Sequence, residues 1–190
     1  MIRAFVAVRI SPEVADKIFE VQAELKRQLD GIRWVERENL HFTLKFLGAV
    51  GEDKIAPIIA ALERAAGAVR SFSIKARGIG VFPDIRRARV LWAGLDGKDL
   101  ATLAQGVEAA FEPLGFPREK RTFTPHLTLG RWRDPVGQSD KLRHEIESWK
   151  DYEFGVSVIE EVILFRSVLK PQGAVYSPLR VVHLSSDEPR

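Results

Sequence analysis

The chain has 190 residues, 45% of them hydrophobic, and carries 29 basic against 26 acidic side chains for a net charge of +3. That composition suits one globular domain of generous size, or two small lobes sharing a core. The absence of cysteine excludes disulfides, thiol nucleophiles and Cys-ligated zinc, while a pI near 9.3 and 19 arginines against 10 lysines fit a phosphate-bearing partner.

The opening "MIRAFVAVRI" is apolar but short and is broken by Arg3 and Arg9. It fits neither a signal peptide nor a membrane span, so a cytoplasmic protein without a membrane partner is expected, with "RAFVAV" as its first strand. Ser11-Pro12 then predicts a helix start, because Ser caps and Pro suits the first helical position. Val14, Ile18, Val21, Leu25 and Leu29 form the apolar stripe of that helix, and Gly31 ends it. A second helix is expected from about Asp53 to Ala66 on the stripe Ile55, Ile58, Ile59 and Leu62. A third follows Leu100, Leu103, Val107, Phe111 and Leu114, closed by Gly115 and Pro117. A fourth follows Ser139. Between them, runs rich in β-branched and aromatic residues read as strands: "HFTLKFL", "FSIKARG", "RVLWAG", "HLTLGRW", "FGVSVI", "EVILFRSVL" and "VYSPLRVVHL". The "GIG" at 78–80 lacks the third glycine of a dinucleotide fingerprint and reads as a turn.

In this order the elements repeat. "RAFVAV", helix, "HFTLKFL", helix, "FSIKA" is followed by "RVLWAG", helix, "HLTLGRW", helix, "FGVSV". Arg3 recurs as Arg89, His41 as His126 and Phe72 as Phe154, at offsets of 86, 85 and 82 residues. The expectation is an α+β fold of two duplicated β-α-β-α-β lobes related by a pseudo-twofold axis, within one domain spanning 1–190. Such an internal twofold makes a monomer reasonable.

Side chains alternate along a strand, so in "HFTLKFL" His41, Thr43 and Lys45 share one face while Phe42, Leu44 and Phe46 share the other. In the second copy His126 and Thr128 share a face, with Leu127 and Leu129 turned away. An imidazole and a hydroxyl about 6 to 7 Å apart along a strand span one tetrahedral anion such as phosphate. Two histidines in opposite protonation states are what displacement at phosphorus requires. One takes a proton from water and the other gives one to the departing oxygen, while Thr43 and Thr128 hold the non-bridging oxygens. A 2′,3′-cyclic phosphate matches, because its leaving ribose oxygen needs only a proton. No metal and no cofactor are required.

The paired His-x-Thr-Leu motifs, with "RAFVAV", "GIGVFP", "RVLWAG", "PHLTLGR" and "RSVLKPQGAVY", resemble the 2H phosphoesterases, and among them the RNA 2′,3′-cyclic phosphodiesterases also called 2′-5′ RNA ligases. The resemblance covers nearly the whole chain. It implies two antiparallel sheets facing across a positively charged central groove, and hydrolysis of RNA 2′,3′-cyclic phosphate ends to 2′-phosphates. It implies His41 as general acid, His126 as general base, and Thr43, Thr128 and Arg131 on the phosphate. Parity places Arg131 on the Leu127 face, so its approach to phosphate requires twist or a bulge. The resemblance extends to 2′-5′ joining of tRNA halves. With no G-x-x-x-x-G-K-[ST] and no nucleotidylated lysine site in the chain, such joining is expected to be ATP-independent. Nucleoside 2′,3′-cyclic phosphates are the expected small substrates.

Two rival readings follow from other residues. A metal-dependent hydrolase would use His41, His126, His144 or His183 as ligands, but there is no HExxH or His-x-His. A non-catalytic RNA-end-binding module would use the clusters Arg86, Arg87, Arg89 and Arg118, Lys120, Arg121, with Phe82 and Trp132 for stacking.

Overall fold

The structure is a computed structural model and describes residues 1–120, 123–136, 139–171 and 173–186. Arg121 of the second basic cluster lies outside the described residues. The elements run β1 (Ile2–Arg9), α1 (Pro12–Gln28), β2 (Ile32–Trp34), β3 (His41–Val50), α2 (Ile55–Gly67), β4 (Phe72–Phe82), β5 (Ala88–Asp96), α3 (Lys98–Phe111), β6 (His126–Val136), α4 (Asp140–Trp149), β7 (Glu153–Ile159), β8 (Glu161–Lys170) and β9 (Gly173–His183).

Local chemistry sets the helix ends. The Ser11 hydroxyl accepts from the Val14 amide at 3.3 Å, and Ser139 accepts from Leu142 at 3.2 Å, each satisfying one orphan donor of a first turn. α3 stops at Phe111 and tightens into a 3₁₀ turn at Glu112–Leu114, where Pro113 has no amide to give; Gly115 then leaves at φ 88°. The three-residue β2 lay below what alternation alone reveals.

The fold is α+β with two antiparallel sheets, in the orders β3-β1-β8-β9 and β2-β6-β5-β4-β7. The two motif strands hold matching places: β3 pairs with β1 and β6 pairs with β5. The closing strands of the two sequence copies depart from this. β4 crosses into the second sheet and lies between β5 and β7, so "FSIKA" and "FGVSV" become neighbours, and β8 takes the free edge of β1. The sequence alignment of Phe72 with Phe154 therefore does not carry over to sheet position, because edge pairing between distant segments decides it.

α2 and α3 cover the first sheet, on β8, β9 and β3, while α1 and α4 cover the second, on β7 and β4. The main core lies between helices and sheets, with Ala4, Val6 and Val8 of β1 and Leu91, Ala93 and Leu95 of β5. The other face of the first sheet carries a separate cluster of Phe5, Ala7, Ile163 and Phe165, with Tyr176 against it. β3 and β6, one from each sheet, are in contact with each other. No helix among the described residues is long and apolar enough to cross a membrane.

The "GIG" is not a turn. Residues 78–80 run inside β4, where Gly78 forms a bulge at φ 67° and its amide donates to the Tyr152 carbonyl at 2.9 Å. A Cβ there would collide with the Lys150 carbonyl oxygen, and one on Gly80 with the Trp92 ring. Both glycines mark close approach within a strand.

Candidate active site at the junction of the two sheets

His41 and His126 open β3 and β6 and are anchored alike. The Nδ1 of His41 lies 2.7 Å from the Asn39 carbonyl oxygen, and that of His126 lies 2.7 Å from the Thr124 carbonyl oxygen. A carbonyl only accepts, so each Nδ1 carries the proton and each neutral ring presents its Nε2 lone pair. Thr43 and Thr128 follow two residues on, half-buried on the histidine faces, while Phe42, Leu44, Leu127 and Leu129 are buried in the core.

Beyond the threonines both strands break parity at the same leucine. In β3 the pairs Ala7↔Thr43 and Val6↔Lys45 skip Leu44; in β6 the pairs Trp92↔Thr128 and Leu91↔Gly130 skip Leu129. Each is a β-bulge, which inserts one residue and reverses which side chains face inward. Lys45 therefore does not share the histidine face. It is buried, donating to Glu108 Oε2 at 2.5 Å and to the Pro117 carbonyl at 2.9 Å. Phe46 takes the exposed place instead, at 68% exposure. In β6 the same inversion turns Arg131 out of the core and buries Trp132. Trp132 is thus unavailable for stacking, and its indole N–H donates to the Asp30 carbonyl at 3.1 Å.

The rings sit in different surroundings. His41 lies among Phe5 at 4.9 Å, Tyr176 edge-on at 5.2 Å and Phe165 at 6.2 Å between ring centroids. His126 meets Phe82 edge-on at 4.9 Å and Trp92 at 6.5 Å. Burial among these rings pushes the His41 imidazole down to about 4, against the hydrogen bond to Asn39, with the positive charges of Arg131 and Arg9 adding to the fall. His126 is lowered too, by burial first and by Arg131 as well, with the Thr124 carbonyl opposing. The Arg131 charge thus lowers both imidazoles.

The remaining residues named from sequence lie elsewhere. His144 is exposed on α4, and His183 is exposed at the end of β9 opposite Glu161. Among the described residues no three His, Asp or Glu side chains gather to hold a metal ion. Arg86 and Arg87 occupy the β4–β5 turn, with both amides bonded to Asp84, and Arg118 pairs with Glu112 at 2.9 Å.

Sequence reasoning missed Phe5, Phe165 and Tyr176, which surround His41, and Gln22. The fully buried Gln22 of α1 donates from Nε2 to the carbonyls of Val35 at 3.0 Å and of Leu129, the bulged residue, at 2.9 Å. It braces the bulge that presents Arg131. A glutamine inside the apolar stripe of α1 was the available signal.

Comparison with known proteins gives the class of this two-sheet α+β scaffold, a phosphoesterase. The crystal structure of a Thermus thermophilus protein superposes with TM-score 0.83 at 30% identity, covering 98% of this chain and 100% of that one. That of Escherichia coli LigT complexed with 3′-AMP superposes with TM-score 0.74 at 25% identity, covering 97% and 98%. A protein of Methanothermobacter thermautotrophicus named RNA 2′,3′-cyclic phosphodiesterase is 38% identical over 96% of this chain and 99% of its own length. Residues 8–92 and 96–176 match the family described as LigT like Phosphoesterase. The chain belongs to that family, a branch of the 2H phosphoesterases.

Proposed function

We propose that this protein hydrolyses RNA 2′,3′-cyclic phosphate ends to 2′-phosphomonoesters, with His41 and His126 supplying both proton transfers. The observation that carries the reading is the matched pair of imidazoles, each held by its Nδ1 with Nε2 free, beside one arginine that acts on both. Water attacks phosphorus as one imidazole takes its proton. The bond from phosphorus to the 3′-oxygen breaks, and the other imidazolium protonates that oxygen. Thr43, Thr128 and Arg131 hold the non-bridging oxygens, whose charge grows in the transition state. His41 is the acid and His126 the base. That division of roles is the one the family resemblance implies. The anionic substrate offsets the arginine charge and favours the imidazolium that the free protein disfavours.

An RNA 5′-hydroxyl in place of water would give a 2′-5′ bond by the same displacement, so ATP-independent joining of tRNA halves belongs to this reading. So do a single domain over residues 1–190, a monomeric state and a cytoplasmic location.

The test is turnover of a nucleoside 2′,3′-cyclic monophosphate and of a cyclic-phosphate-ended oligonucleotide in excess chelator, with product analysis. The expected product is the 2′-phosphate, and His41→Ala and His126→Ala should each lower the rate by about 100 to 10,000-fold. Wild-type turnover in either variant refutes the assignment. Binding of RNA ends without turnover would leave the RNA-binding module, and loss of activity in chelator would favour the metal-dependent hydrolase.

A further inference from the structure

Arg9 ends β1 directly opposite His41 in the β1–β3 ladder and shares the face of Phe5 and Ala7. The Arg9 guanidinium lies over the Phe165 ring, 5.4 Å from its centroid. Phe165 in turn stacks on Phe5 at 5.2 Å and lies 6.2 Å from His41. A guanidinium stacked on an aromatic face is held in place and keeps its in-plane N–H donors available. Arg37 and Arg77 are tied to Asp16 and Asp151; Arg9 has no carboxylate partner among the described residues. Its register opposite His41 and its stack on Phe165 set it beside His41. Arg9 therefore stands on the first sheet, on the His41 side of the candidate site. A bare cation there opposes protonation of His41, a cost removed when an anion joins it.

We propose that Arg9 binds the phosphodiester one linkage upstream of the terminal cyclic phosphate, making the site selective for RNA ends over isolated nucleotides. The inference rests on the function proposed above and names a substrate feature of the same site. Bidentate pairing with a phosphodiester satisfies the guanidinium without disturbing its stack on Phe165.

The test uses a dinucleotide ending in a 2′,3′-cyclic phosphate, made with either a native internal phosphodiester or an uncharged methylphosphonate. For wild type, kcat/KM should favour the charged linkage by about tenfold or more. In Arg9→Gln that preference should fall to near unity, and Arg9→Lys should keep part of it through charge alone. Because the readout is a ratio on one enzyme preparation, a partial loss of folded protein does not imitate the result. Equal rates on the two linkages in wild type overturn the inference, as does a preference that survives in Arg9→Gln. Turnover of neither dinucleotide by wild type instead overturns the cyclic phosphodiesterase reading, and the inference falls with it.

Discussion

The electrostatic position of His41 makes a measurable demand on stability. Its ring titrates at an ordinary 6.5 when unfolded and at about 4 when folded, driven first by burial. At about 1.4 kcal/mol per pH unit, and allowing for the partial exposure of the ring, the gap is worth about 2 to 3 kcal/mol. The sign follows from proton counting. Between pH 6.5 and 4 the unfolded chain binds the proton and the folded protein does not, so stability falls as the pH drops through that window and the effect is complete below about 4. Carboxylates titrate in the same range, so the assay is a difference: urea unfolding from pH 7.5 to 3.5 for wild type and for His41→Gln. Wild type should lose about 2 to 3 kcal/mol more than the variant. His126 adds a loss of the same sign. Nuclear magnetic resonance titration of the His41 ring should give a midpoint well below 6.5 in the free protein, moving up when inorganic phosphate binds. Parallel pH–stability curves, or a midpoint at 6.5 in the free protein, would refute the assigned burial and charge environment.

Four further outcomes are expected. Because both histidines are lowered in the free protein and one must be charged while the other is not, kcat/KM should pass through a maximum below pH 6.5; a maximum near pH 8 contradicts it. Thr43→Val and Thr128→Val should each reduce cyclic phosphate turnover by about 10 to 150-fold, the worth of a hydrogen bond to a charged oxygen, and steady-state rates check this. Gln22→Leu removes the donor bonded to Val35 and Leu129. It should cost about 1 to 3 kcal/mol in urea unfolding and lower kcat/KM through Arg131; unchanged kinetics would dissociate Gln22 from the bulge. Lys45→Met strands the mostly buried Glu108 carboxylate and should cost about 3 kcal/mol, whereas Lys45→Met with Glu108→Met should recover most of it. Equal melting of the single and double variants would show that the pair is unimportant.

The local patterns were legible from the chain alone. Helix caps at Ser11 and Ser139, apolar stripes at helical spacing and alternation in the strands depend on neighbours within a few residues, and they located the four helices. The duplicated His-x-Thr-Leu motif marked both ends of the candidate site for the same reason, since His and Thr two apart share a face until something interrupts the strand. The interruption itself was tertiary. A bulge exists only relative to a partner strand with one residue fewer, so the skipped Leu44 and Leu129 were set by pairing with β1 and β5. That pairing buried Lys45, exposed Phe46 and turned Arg131 out of the core. The crossing of β4 into the second sheet and the aromatic shell from β1, β8 and β9 around His41 have the same origin. They join segments far apart in the chain, whose meeting is decided by which edges and faces remain to be covered once the local elements have formed.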